Sequence, residues 1–362
     1  MKVAVNTLFL IPGEVGGSEI YLVETLRAVI AHHPEISLAL ITNRENDGWL
    51  RERFAASGRC TFHPMALRAT NRYARILAEQ FVLPAVVRRV RPDVLWSPGY
   101  TMPAWAPCRQ AVSLLDMQYR THPEDLSHLA RWTTHALVCM AVRRADVILA
   151  ISEFSRQEVV RETGCPTERI VVSPLGVDPM FSRDVGPARR ADVQARYLGR
   201  DVPMILSVAN SYPHKNLALL VEAFTAIAGR VPHHLLLVGK ARRGEAALQA
   251  ALAAAPAGRV HRAPSAGRED IAALFQVADL FAFPSLYEGF GLPVLEALAA
   301  GTPVLATGEG STREVGGDAA TYADGRDREA WAEALFRLAV NAPAERARTQ
   351  IEGPRRAAIF TW

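Results

Sequence analysis

The sequence predicts an α/β protein of two doubly wound, Rossmann-like parallel-sheet domains facing a cleft. Short apolar runs at 3–11, 38–42, 94–97, 111–115, 147–151 and 170–174 alternate with helical patterns, as in parallel strands joined by crossovers. A second alternating series begins at 203–209 and continues through 234–239, 260–263, 280–284 and 304–307. Between the two series, residues 176–199 are rich in Gly, Pro, Arg and Asp and break the pattern. This places one domain at 1–175, a linker at 176–199 and a second domain at 200–362. At 362 residues, with 49% hydrophobic and 22% charged side chains, the chain can bury two cores and is too apolar to be disordered.

Met1-Lys2 and the apolar run behind them resemble a signal peptide, but Asn6 and Thr7 interrupt the run and no small-residue cleavage site follows. The segment reads as a buried first strand. It ends in Pro12-Gly13-Glu14-Val15-Gly16-Gly17-Ser18, after which Ile20, Val23, Leu26 and Val29 mark a helix. A glycine pair before a helix lets backbone approach a ligand, or makes a tight turn without one. The spacing is not G-x-G-x-x-G and no acidic residue closes a second strand, which disfavours a nicotinamide dehydrogenase.

Segment 66–91 combines Arg68, Arg72, Arg75, Arg88, Arg89 and Arg91 with Ile76, Leu77, Phe81, Val82, Leu83, Val86 and Val87, and Glu79 is its only acid. Two readings stand: a basic amphipathic helix on an anionic membrane surface, or a helix packed on the sheet with its arginines in water. The run 111–115 leads into Asp116, either a polar group in the cleft or a capping aspartate. Only Lys2, Lys215 and Lys240 are lysines among 41 basic residues. Lys215 follows a strand and the turn Ser211-Tyr212-Pro213-His214 and opens a helix, from where an ammonium can reach a diphosphate.

The most informative stretch is 284–307, PSLYEGFGLPVLEALAAGTPVLAT. An apolar strand ends at Pro284, Gly289-Phe290-Gly291 turns the chain, Pro293 suits a first helical position, Gly301 suits the end, and a second strand follows. Such a helix start offers unpaired N–H groups at the carboxyl end of a parallel sheet, where phosphates bind. Glu288 lies before the turn and Glu296 one turn into the helix. Carboxylates beside an anion-binding turn suit sugar hydroxyls of a phosphorylated ligand; the bland alternative is a pair of solvated or capping glutamates.

Several classes are disfavoured. The net charge of +4 is spread along the chain and does not argue for nucleic acid. Cys60, Cys108, Cys139 and Cys165 lack C-x-x-C spacing, as expected of reduced thiols in a cytosolic protein without disulfides. No apolar stretch reaches the roughly 18 residues of a membrane span, so membrane contact is expected to be peripheral. There is no Asp-x-Asp, H-E-x-x-H or cysteine–histidine cluster to recommend a divalent metal, no G-x-S-x-G and no P-loop.

Glu288 and Glu296 have E-x7-E spacing, and with GEVGGSEIYLVETL, ADVILAISEFSRQEVV, IVVSPLGVDPMF and SVANSYPHKNLALLVEAF the chain resembles the retaining GT-B glycosyltransferases of family 4. The resemblance covers nearly the whole chain, and its PHKN and SLYEGFG wording is closest to the bacterial mannosyltransferase-like, surface-polysaccharide branch. It implies metal-independent transfer of a hexosyl group from a nucleotide diphosphate sugar, GDP-mannose as first guess, to a hydroxyl of a glycan or lipid-linked acceptor. It also implies no cofactor, an N-terminal acceptor domain and a C-terminal donor domain. On it Glu288, Lys215 and Asp116 are the candidate catalytic groups. Gly16, Gly17, Asn210, Lys215, Glu288, Gly289, Phe290, Gly291, Leu292 and Glu296 would bind donor, with Glu288 on sugar hydroxyls, Glu296 on the ribose, and Lys215 with the turn amides on the diphosphate. The expected location is the cytoplasm, peripheral on the inner membrane face through 66–91.

Three departures from the family bear on this. Leu115 replaces a histidine that contacts the donor sugar, and Asn210 replaces an arginine five residues before the phosphate-binding lysine. The family's final helix, which returns to the N-terminal domain, is expected after Phe360-Thr361-Trp362, where this chain stops; without it Phe360 and Trp362 would form an exposed sticky patch and relative domain motion would be larger. A sugar-nucleotide-binding subunit without activity is the alternative reading. An epimerase or phosphorylase on the same fold ranks lower.

Overall fold

Parallel strands dominate the computed structural model, which describes residues 1–122 and 127–362. The chain divides into two units, Met1–Pro174 with Trp362, and Leu175–Thr361. The first unit runs β1 (Lys2–Asn6), α1 (Gly17–His32), β2 (Ser37–Thr42), α2 (Asp47–Phe54), β3 (Cys60–Pro64), α3 (Arg72–Leu77), a π-helical turn (Ala78–Val82), α4 (Leu83–Val90), β4 (Val94–Ser97), β5 (Arg109–Leu114), α5 (Gln118–Thr121), α6 (His128–Arg144), β6 (Val147–Ala150), α7 (Glu153–Thr163) and β7 (Ile170–Val172). Its sheet order is β3-β2-β1-β4-β5-β6-β7, all parallel, with Asn6 opposite Ile41 and Val5 opposite Trp96. The order reverses between β1 and β4, which makes that gap a topological switch point.

The second unit runs α8 (Pro187–Leu198), β8 (Met204–Val208), α9 (Leu217–Ile227), β9 (His234–Val238), α10 (Glu245–Ala254), β10 (Val260–Ala263), α11 (Arg268–Val277), β11 (Leu280–Phe283), α12 (Leu292–Ala299), β12 (Val304–Ala306), α13 (Thr312–Gly316), β13 (Thr321–Tyr322), α14 (Arg328–Val340) and α15 (Ala342–Ala357). Its parallel sheet, β10-β9-β8-β11-β12-β13, reverses between β8 and β11.

Both sheets carry helices that bury apolar stripes. In the first unit Leu83 and Val87 of α4 pack with Ala4, Ile41 and Leu95, while Val138 and Val159 pack with Val112 and Ile148. In the second, Phe224 of α9 and Trp331 and Leu335 of α14 lie fully buried against Ile205, Leu235 and Ala282. Truncating such an aromatic to alanine costs about 3–5 kcal/mol through lost contacts and the cavity left.

Four expectations are corrected. Segment 176–199 is not a patternless linker, since Gly186, Pro187 and Gly199 are the two ends of α8. Strands β3 and β13 lie where the sequence predicted none. Segment 66–91 is one helical run from Arg72 to Val90, but not a regular helix: the π turn interrupts it, its second half buries Leu83 and Val87 in the core with Arg88 and Arg89 exposed, as in the sheet-packed reading, and Tyr73, Leu77 and Phe81 before that half are exposed. Phe360 is no sticky patch; it is 8% exposed, packed edge-on against Phe290 at 5.6 Å with the Arg356 guanidinium 5.1 Å from its ring.

Candidate active site

In the second unit the loops after β8 and β11 meet beside the switch point. Leu286 N–H donates to the His214 carbonyl at 2.7 Å, and Ser285 Oγ reaches the same oxygen at 3.4 Å. This lacing joins two residues 73 apart in sequence: Lys215 Nζ donates to Glu288 Oε1 at 2.5 Å. The side chains are 19% and 12% exposed, and the ammonium also lies 5.6 Å from the Phe283 ring centroid. A charge-assisted bond in so sheltered a place is stronger than a surface pair.

The main chain around Glu288 is fixed as well. Its carbonyl accepts from Ser311 N–H at 3.2 Å and Ser311 Oγ at 3.0 Å. Gly310 (φ 62) passes so close that a Cβ there would lie 2.7 Å from that carbonyl oxygen. Gly291, at φ 92, then starts α12, a conformation glycine adopts without strain. No side chain caps this helix start. The amides of Gly289, Phe290, Gly291 and Leu292 thus gather at a helix N-terminus beside the Lys215 ammonium, an arrangement suited to a diphosphate. Phe290 contributes only backbone there, since its ring is 3% exposed and packs on Phe360.

Glu296 differs from Glu288. It is 8% exposed, and burial pushes its pKa up to about 8, against the lowering effect of Arg268 and with Asp178 raising it further. Arg268 is itself engaged with Asp178 at 3.1 Å. Near neutral pH Glu296 is therefore largely a neutral carboxyl, able to donate one hydrogen bond and accept others.

Asn210 has a holding role: its Oδ1 accepts from Lys240 N–H at 2.8 Å, and Ser211 N–H donates to the Lys240 carbonyl at 3.1 Å. Lys240 thereby stands at the mouth of the same sheet, a position that no sequence motif marks.

In the first unit Gly16 caps and Gly17 opens α1 beyond the carboxyl end of β1, and no atom lies within 4 Å of a Cβ placed on either. Asp116 Oδ1 accepts from Gln118 N–H at 3.0 Å, one residue ahead of Met117, the N-cap of α5, which no side chain caps. Leu115, in place of the family histidine, is 5% exposed, and its carbonyl accepts from Ser155 Oγ at 2.8 Å. Among the described residues no group of three His, Cys, Asp or Glu could hold a metal, all four cysteines are free, and no helix is long and apolar enough to cross a membrane.

The family model Glycosyltransferase Family 4 matches residues 15–181, and Glycosyl transferases group 1 matches 202–341. O-antigen chain mannosyltransferase B of Escherichia coli is 30% identical over 58% of this chain and 54% of that protein. Serotype-specific mannosyltransferase WbdA of Escherichia coli is 27% identical over 70% of this chain and 33% of that protein. The chain thus spans about half the length of the first relative and a third of the second. The crystal structure of Anabaena HepE in complex with UDP and glucose superposes with a TM-score of 0.75 at 18% identity, over 100% of this chain and 95% of that one. The fold is GT-B, and the chain belongs to the family 4 glycosyltransferases.

Proposed function

We propose that the chain is a retaining, metal-independent hexosyltransferase that uses a nucleotide diphosphate sugar, GDP-mannose before UDP- or dTDP-hexoses, in polysaccharide or glycoconjugate synthesis. The observation that carries this reading is the Lys215–Glu288 pair beside the start of α12. An arriving diphosphate competes with Glu288 for the ammonium. That exchange neutralises phosphate charge and releases a carboxylate to accept hydrogen bonds from donor-sugar hydroxyls. Glu296, inside the first turns of α12, would hold the ribose.

The bond from the sugar's anomeric carbon to the phosphate oxygen then breaks while a bond to the acceptor oxygen forms on the same face. The acceptor proton passes to the departing phosphate. Lys215 and the turn amides stabilise the charge that grows on the leaving group, the contribution that is usually largest in catalysis. The mannosyl preference draws on the names of the two Escherichia coli relatives.

The acceptor is a hydroxyl of a glycan or of a lipid-linked glycan. Tyr73, Leu77, Phe81, Leu129 and Trp132 are exposed, and Arg72 joins α3 to α6 through the Ala130 carbonyl and the Thr134 hydroxyl. Exposed Arg68, Arg88 and Arg89 lie on the same stretch. Apolar side chains with arginines around them suit the anionic inner face of a membrane.

A thermal-shift screen of GDP, UDP and dTDP, followed by transfer assays with the matching sugar nucleotides, tests the reading. GDP at 100 times its Kd is expected to stabilise the binding unit by about 2.7 kcal/mol. A protein that no nucleotide stabilises would refute it. Nucleotide binding with neither transfer nor donor hydrolysis would instead select the inactive binding subunit, a reading favoured by Leu115 alone.

A further inference from the structure

The π-helical turn Ala78–Val82 holds a buried acid at the switch point of the first sheet. Asn6, at the end of β1, donates to Ser97 Oγ, at the end of β4, at 3.3 Å and so bridges that gap. Glu79 stands over it, 3% exposed, with Oε2 accepting from Thr101 Oγ1 at 3.1 Å and Oε1 buried with no well-formed hydrogen bond, the Asn6 amide acting on the carboxylate from nearby. The neighbouring Gln80 clamps the loop after β4 at two points: Nε2 donates to the Met102 carbonyl at 3.0 Å, and Oε1 accepts from Ala104 N–H at 2.9 Å. Tyr100 in that loop is held at φ 70, unusual for a bulky residue. Thr101 itself is half-buried.

Ligands of open parallel sheets bind beyond the carboxyl ends of the strands at the switch point, and π turns and strained backbone gather at functional sites. Gln80 already anchors the loop, so loop-holding does not account for a buried carboxyl with one oxygen lacking a well-formed hydrogen bond. We propose that Thr101 is a sugar-hydroxyl contact in an acceptor subsite of the first unit and that Glu79 is the residue that positions it. The proposal rests on the transferase reading above.

The chemistry follows from the hydroxyl's single proton. An ionised Glu79 can only accept, so Thr101 spends its hydrogen on the carboxylate and offers its lone pairs outward, ready for a hydroxyl that donates. Burial raises the Glu79 pKa to about 7, with Thr101, Arg75 and the Asn6 amide lowering it in part. Arg75 is the charged group among these neighbours; Thr101 and Asn6 are neutral. Below that pH a protonated Glu79 donates to Thr101 and frees the threonine hydrogen, which reverses the preference of the subsite. A sugar hydroxyl both donates and accepts, so acceptor affinity changes as pH passes through 7 and donor affinity does not follow it.

The test uses the full chain with GDP-mannose as donor and methyl α-D-mannopyranoside as acceptor probe. Acceptor and donor KM are measured from pH 6 to 8, and pyranoside binding without donor is followed by saturation-transfer NMR. Thr101→Ala is expected to raise acceptor KM about 10-fold, with Thr101→Ser close to the parent and donor KM unchanged. Glu79→Gln is expected to remove the pH dependence of acceptor KM. Transfer by the parent with an unaltered acceptor KM in Thr101→Ala would overturn the subsite and leave the transferase reading intact. Pyranoside binding that Thr101→Ala abolishes, in a protein that transfers nothing, would keep the subsite and overturn the transferase reading. A parent that neither binds nor transfers would overturn both.

Discussion

Replacing Glu296 by glutamine tests the electrostatics of the site without any substrate. In the folded chain burial moves this carboxyl from 4.5 to about 8. The folded state thus keeps its proton over a range in which the unfolded state has lost it. Stability from this group is fully present below pH 4.5 and declines as pH rises toward 8, after which the loss is complete. One pH unit corresponds to about 1.4 kcal/mol, so between pH 6 and 8 the second unit loses roughly 2–3 kcal/mol through this group alone. At about 2–4 °C per kcal/mol for a unit of this size, its melting midpoint falls by roughly 5–10 °C. A glutamine side chain has nearly the same shape and no proton to lose, so the Glu296→Gln protein is expected to hold its midpoint over that range. Calorimetry of both proteins from pH 6 to 9, without nucleotide, reads the difference. If the two midpoints fall in parallel, Glu296 is ionised in the folded chain and the argument from burial is wrong.

Two other outcomes follow from the same geometry. Lys215→Met keeps the aliphatic stem beside Phe283 and removes the charge; it is expected to weaken GDP binding about 10- to 100-fold by calorimetric titration, and an unchanged Kd would remove Lys215 from the phosphate site. Phe81→Ser with Trp132→Ser removes the two most exposed aromatics of the first unit and is expected to reduce binding to phosphatidylglycerol vesicles several-fold in sedimentation, whereas equal binding would move membrane contact elsewhere.

The sequence made the alternating strands and the start of α12 legible because both are local. Strand identity needs only an apolar run between turns, and Gly291-Leu292-Pro293 marks a helix start with its own residues. Edge strands were not legible for the converse reason: β3 is CTFHP, polar and closed by proline, and β13 is two residues long. In α8 the same Gly-Pro signal that usually breaks structure began a helix, because a proline in the first turn lacks only an N–H that would be unpaired anyway.

The site divides along the same line. E-x7-E set Glu288 and Glu296 side by side as equals, yet spacing carries no information about burial. The fold pairs one with the Lys215 ammonium and buries the other so that its pKa rises, so two identical side chains eight residues apart meet different surroundings. The partner of Glu288 was likewise invisible, since only the adjacency of β8 and β11 brings Lys215 to it. Glu79 shows the limit most sharply. Among its arginines it read as a lone opposing charge on a helix face, and nothing in one dimension separates that from a buried acid at a switch point. The difference lies in the π turn, which carries the side chain inward to Thr101 and the end of β1. What the chain writes locally is therefore where backbone amides gather, and what it leaves to the fold is which carboxyls hold a proton when a hydroxyl arrives.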